Sequence, residues 1–176
     1  MGGEPGIINS SRITWIARFL FASVLVSLAL FPAHATEPLA AIIHIDGEEG
    51  AFYPDECCWV EIPRNERLRA AARAESCSAL GGPVGRFQLW EDHVWLIGLY
   101  RCGGDMPLEE IYPEMEGPTL ASWLTGRFTA RFDRGSCGGD GWLKPVFFTT
   151  HHLVIEQGRV VSVETETLDP ANCAGG

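Results

Sequence analysis

The sequence predicts a mainly β domain: an antiparallel meander that closes as a small barrel or a two-layer sandwich, carries one short helix (an α+β layout is the variant) and is stapled by disulfides. Three observations predict it. Apolar and polar residues alternate with period two from Leu124 to Phe132, the pattern of a strand with one buried face. Two longer runs fold back on themselves around turn residues. Only one segment reads as a good helix.

In chain order, Leu39–Gly47 is a short apolar run closed by Asp46-Gly47, which predicts a strand and a turn. Cys57–Ile62 reads as a second short strand. Asn65–Ser76 is the helix: Asn65 can cap it, alanine and arginine favour it, and Gly81-Gly82-Pro83 ends the segment. Gly85 to Cys102 reads as a hairpin turning near Asp92-His93, which sets Trp90 opposite Trp95. Gly103–Pro118 is a proline-punctuated acidic loop with room for one helical turn. Residues 121–133 form the alternating strand, with Leu124, Phe128, Ala130 and Phe132 on one face and Thr125, Arg127, Thr129 and Arg131 on the other. Residues 146–168 form a second hairpin that turns at Gln157-Gly158, where glycine permits a positive φ.

The first 35 residues read as a secretory signal peptide: Arg12 and Arg18, then the uncharged run Phe19–Phe31, then small residues at Ala33 and Ala35. The run has 13 residues, short of the roughly 20 that span a bilayer. Residues 36–176 are then one domain, with no membrane span after signal cleavage, and the address is the periplasm or the extracellular medium. Taking the leader's two arginines and one glutamate from 13 basic and 23 acidic residues leaves 11 and 22, a net charge of −11. Such a surface repels phosphate, so nucleic acid and anionic membranes are excluded as partners and a protein with a basic surface is expected.

All six cysteines, Cys57, Cys58, Cys77, Cys102, Cys137 and Cys173, follow the leader, which predicts disulfides. Six cysteines allow 15 pairings. The hairpin registers carry Cys173 near Cys137 and Cys102 near Cys77, so both pairs are geometrically reasonable. Cys57-Cys58 would then be left over, as a vicinal bridge or a soft-metal thiolate pair, unless one of the other two pairs is wrong. Cys-Gly-Gly-Asp occurs twice, at 102–105 and 137–140. We read both copies as stapled turns, in which Asp105 and Asp140 bond nearby backbone. One carboxylate per copy is too little for a calcium loop.

His151 and His152 are neighbours on a strand, so their rings point to opposite faces and do not grip one ion. No nucleophile elbow, zinc helix or phosphate loop is present, and neither a catalytic residue nor a cofactor is assigned. The expected contact surface is Asp105, Glu109, Glu110, Tyr112 and Glu114 of the acidic loop, with the Trp90–Trp95 pair. The function expected is a non-enzymatic binding or interaction protein, such as an inhibitor, immunity or envelope accessory protein. The alternatives are a small-ligand carrier whose cavity is lined by Leu124, Phe128 and Phe132, and a hydrolase with an unrecognised site.

Overall fold

A computed structural model describes residues 39–56, 59–74, 82–138 and 143–174. The leader, Cys57, Cys58, Cys77, Asp140 and Trp142 lie outside these. The described chain is mainly β. Its elements are β1 (Ala41–Ile45), β2 (Glu48–Pro54), α1 (Glu66–Ala74), β3 (Val84–Trp90), β4 (His93–Arg101), β5 (Gly104–Met106), α2 (Leu108–Ile111), β6 (Thr119–Leu120), β7 (Gly126–Gly138), β8 (Leu143–Glu156) and β9 (Arg159–Thr167). A 3-10 turn at Pro170–Ala174 follows.

The strands join in the order β3-β1-β2-β7-β8-β9-β4-β5, and β3 also pairs with β4, so the sheet returns on itself as a ring. The sheet is not a pure meander: β1 and β3 run parallel across the crossover that includes α1, and β2 with β7 and β9 with β4 also pair out of chain order. The seam between β9 and β4 is short. Its single bridge is His93 with Arg159, flanked by Val94 N–H to Gly158 O (2.8 Å) and Val160 N–H to Asp92 O (2.7 Å).

Inside the ring, Ile43, Phe52, Phe87, Val94, Leu96, Leu99, Leu153 and Ile155 are each less than 2 % exposed. Phe52 stacks on Phe128 at 5.2 Å and meets Phe87 edge-on at 5.6 Å, so three strands share one aromatic cluster. Leu124, Phe128, Ala130 and Phe132 are buried as their alternation predicts, while Thr129, on the other face, is buried as well.

Several elements differ from the sequence reading, each for a local reason. The second strand is Glu48–Pro54; residues 59–62 are not a strand. Its inward position Gly50 hides the apolar period, yet only glycine fits, since a Cβ there would stand 2.6 Å from the Phe132 ring. The β3–β4 hairpin turns at Glu91-Asp92, both at positive φ, one residue earlier than expected, which moves the cross-strand partners of Phe87 to Trp90 by two. Trp90 therefore faces His93, and Gln88 faces Trp95. The alternating strand begins at Gly126 and runs on to Gly138, while residues 121–125 carry a turn. The β8–β9 turn lies at Gln157-Gly158 as expected, with a bulge beyond it that shifts the register by one. α1 starts where Asn65 caps it: Asn65 Oδ1 accepts the Leu68 N–H at 2.8 Å.

Candidate functional site

The acidic segment after Cys102 is docked by its apolar residues. Met106, Leu108, Ile111 and Tyr112 alternate with its carboxylates and are 1–4 % exposed. β5 pairs with the end of β4, Tyr100 opposite Asp105, and Asn65 Nδ2 donates to Ile111 O at 2.8 Å. Glu109, Glu110, Glu114 and Glu116 are exposed, presented from a backbone that the core anchors. Tyr112 serves that anchoring and does not face solvent: it is 1 % exposed and its hydroxyl donates to Pro63 O at 2.5 Å. Burial, and then the charge of Glu114, push its pKa up to about 12.

Asp105 belongs to a network on the outer face. Arg86 bridges Asp105 and Glu49, the latter at 2.5 Å, and His44 Nε2 stands 3.6 Å from the same Glu49 carboxylate. Burial opposes the Arg86 charge, but the Glu49 hydrogen bond and the two carboxylates outweigh it, so its pKa is raised. The cation already facing Asp105 is a guanidinium. Among the described residues no group of three or more His, Cys, Asp or Glu side chains is placed to hold a metal ion.

A second polar chain crosses β7, β8 and β9. Thr129 Oγ1 donates to Asp55 Oδ1 at 2.7 Å, stands 3.3 Å from His152 Nδ1, and His152 Nε2 lies 3.6 Å from Glu166 Oε2. The hydroxyl has one proton and gives it to Asp55. It can then only accept from His152, which must carry its proton on Nδ1. That arrangement latches strands together, with Thr129 itself only 7 % exposed. His151 points the other way, its ring 5.2 Å from Phe132 and its Nδ1 2.8 Å from Thr165 Oγ1, so the two histidines are on opposite faces as expected.

Trp90 and Trp95 lie diagonally across the β3–β4 hairpin, centroids 6.3 Å apart. Trp90 is 63 % exposed. They do not merge with Asp105: Trp95 is five residues along β4 from Tyr100, or roughly 17 Å. Trp123 is partly buried and donates its Nε1–H to Glu61 O at 2.8 Å.

β9 lies outside the expected contact surface. Every residue of β9 after Val160 is exposed, and Val161 (49 %), Val163 (52 %) and the following Leu168 (39 %) stand among the few exposed large apolar side chains. The signal is present in the sequence as "VSVETET" (residues 161–167), in which only Val161 and Val163 are apolar and no apolar residue follows Val163.

Of the cysteines, Cys137 and Cys173 are bonded to each other, Cα atoms 4.8 Å apart. Cys102 is also in a disulfide; Cys57, Cys58 and Cys77 lie outside the described residues. A cleft of about 810 Å³ opens beside α1, lined in part by Trp59, Val60, Leu68, Trp123, Leu124 and Phe128. Among the described residues no helix is long and apolar enough to cross a membrane. Comparison of the chain with protein-family models, with curated proteins and with solved structures gives no match.

Proposed function

We propose that this chain is an exported, periplasmic or secreted, binding protein without chemistry of its own, which holds a protein partner through that partner's basic surface. The observation that supports it best is the build of the 104–116 segment. Its apolar residues are sunk in the core, while Glu109, Glu110, Glu114 and Glu116 project into solvent. A fixed array of carboxylates gives up little conformational entropy on binding, which is what a recognition surface for cations needs. The leader and the cysteine count support the exported address.

The test is capture of partners from envelope extract by residues 36–176, followed by titration of the partner identified. Replacing Glu109, Glu110, Glu114 and Glu116 together by glutamine should leave the melting temperature nearly unchanged, because exposed charges contribute little to stability. It should weaken partner binding most at low salt, where charge attraction reaches farthest. Unchanged affinity at low salt would remove this surface from the contact.

The cleft beside α1 favours a second reading, the small-ligand carrier, since Leu124 and Phe128 line it as that reading requires. Phe132 is not among its lining residues. An apolar fluorescent probe displaced from the wild type, but not from Leu68→Arg, would support the carrier.

A further inference from the structure

We propose that the open edge of β9 docks an extended segment of a partner protein, one that adds a strand to the sheet and carries arginine or lysine at alternate positions. β9 is bonded to β8 along its length, but to β4 only at its first residues. The reason is geometric. β4 begins at His93, so its hairpin turn ends the seam at Asp92, while β9 runs on seven residues past Val160. Beyond that point no strand lies on the far side of β9 among the described residues.

The ladder tells which groups face the opening. Leu168 N–H donates to Phe148 O at 2.8 Å, in line with the β8–β9 register of Thr149 opposite Thr167. Hydrogen-bonded and non-bonded pairs alternate in an antiparallel ladder. Glu166 and Glu164 therefore turn their N–H and C=O toward β8, as Leu168 does. Val163, Thr165 and Thr167 turn theirs to the open side. That is a template for strand addition.

Side chains select the occupant. Glu164 pairs with His152 and Glu166 with Thr150, so both glutamates lie on the outer face with His152, while Val163 lies on the inner face opposite Leu153. An added strand would need cations beside Glu164 and Glu166 and apolar side chains beside Val163. A second copy of this chain fits worse. The antiparallel self-pairing that uses all three open positions, Val163 opposite Thr167, sets Glu164 opposite Glu166 twice, and like charges directly opposite destabilise a sheet.

The test uses oxidised 36–176 and a capped peptide of alternating arginine and valine, with binding read by titration calorimetry and by Trp emission. The peptide should bind. N-methylating its alternate amides on one strand edge should weaken binding about tenfold or more, while methylating the other edge should not, since each lost backbone bond is worth about 1 kcal/mol. Val163→Pro removes an N–H that bonds nothing in β8, so the fold should survive while peptide affinity falls as far. Glu164→Gln with Glu166→Gln is the second variant and should weaken binding without any change of fold. No binding, or binding indifferent to both methylation patterns, overturns the proposal in favour of charge attraction alone. A concentration-dependent dimer abolished by Val163→Pro overturns it in favour of self-pairing. The proposal shares with the function proposed above only the idea of a basic partner. The variant lacking Glu109, Glu110, Glu114 and Glu116 separates them, because it should keep peptide binding even where it loses the captured partner.

Discussion

Breaking the Cys137–Cys173 bond should cost a large part of the domain's stability. The bridge ties the end of β7 to the 3-10 turn after β9, closing a loop with a sequence separation of 36. A loop of that size loses about 13 cal/mol/K of unfolded-chain entropy, or about 4 kcal/mol near room temperature. Native domains have only about 5–15 kcal/mol in total. For a domain of this length that corresponds to a fall of about 12 °C in Tm. Cys137→Ser and Cys173→Ser should each show it in thermal and urea unfolding under non-reducing conditions. The double variant should match the singles within about 0.5 kcal/mol, because one bridge is lost only once. Chelator should leave the wild-type Tm unchanged. A loss below about 1 kcal/mol in the singles, or a double variant as weak as the sum of the two, would refute the entropic argument. A chelator effect that disappears in Asp105→Asn would refute the reading of the Cys-Gly-Gly-Asp turns as purely structural.

Three further perturbations follow from the geometry. Tyr112 has its pKa raised in the fold to about 12 from an ordinary value of 10, so the unfolded chain loses that proton first as pH rises. Its contribution is complete below pH 10 and is lost between 10 and 12, a fall of about 3 kcal/mol. Denaturant midpoints across that range should show the slope, and Tyr112→Phe should flatten it. Gly158 stands at φ 80° with Ala121 O 2.8 Å from where a Cβ would be, and its N–H and C=O bond Leu124 O and Val94 N–H. Gly158→Ala should therefore cost about 1–3 kcal/mol, read as a lower urea midpoint. Thr129→Val removes the hydroxyl between Asp55 and His152 at nearly constant volume and should cost about 1–3 kcal/mol by leaving polar partners unmatched, measured the same way.

The sequence made the mainly β class legible because its clearest signals are local. Period-two alternation around Phe128, the Gln157-Gly158 turn and the Asn65 cap all act within a few residues. What it concealed depends on partners distant in the chain. Gly50 looks like a weak strand residue until Phe132 lies over it. Arg86 looks like any surface arginine until Glu49 and Asp105 converge on it. Tyr112 looked like a contact residue because it stands among glutamates, but the same alternation that exposes the carboxylates buries it against Pro63. Nothing in Glu91-Asp92 advertises positive φ as a glycine would, so the sequence points to a turn one residue later than the true one. The proximity of Cys137 and Cys173 did follow from a register, since the turn that sets it was read at the right residues.

The charge of this surface becomes informative only once the arginines are located. Arg86 is held between Glu49 and Asp105, Arg127 lies 3.6 Å from Asp55, Arg69 and Arg64 pair within their own segment, and Arg131 lies over the Tyr53 and Phe147 rings. Each of these cations is committed inside the molecule. Among the described residues, no ion pair joins a basic side chain to Glu109, Glu110, Glu114, Glu116 or Glu164. The carboxylates left without an ion pair thus include the four glutamates of the anchored 104–116 segment and Glu164 on β9. A partner that matches them brings its own cations, and the two surfaces should leave different kinetic marks. Long-range attraction by exposed glutamates acts on the encounter, so their neutralisation should lower the association rate and its salt dependence. Backbone bonds along Val163, Thr165 and Thr167 form only after contact, so Val163→Pro should raise the dissociation rate and leave the salt dependence of association as it was.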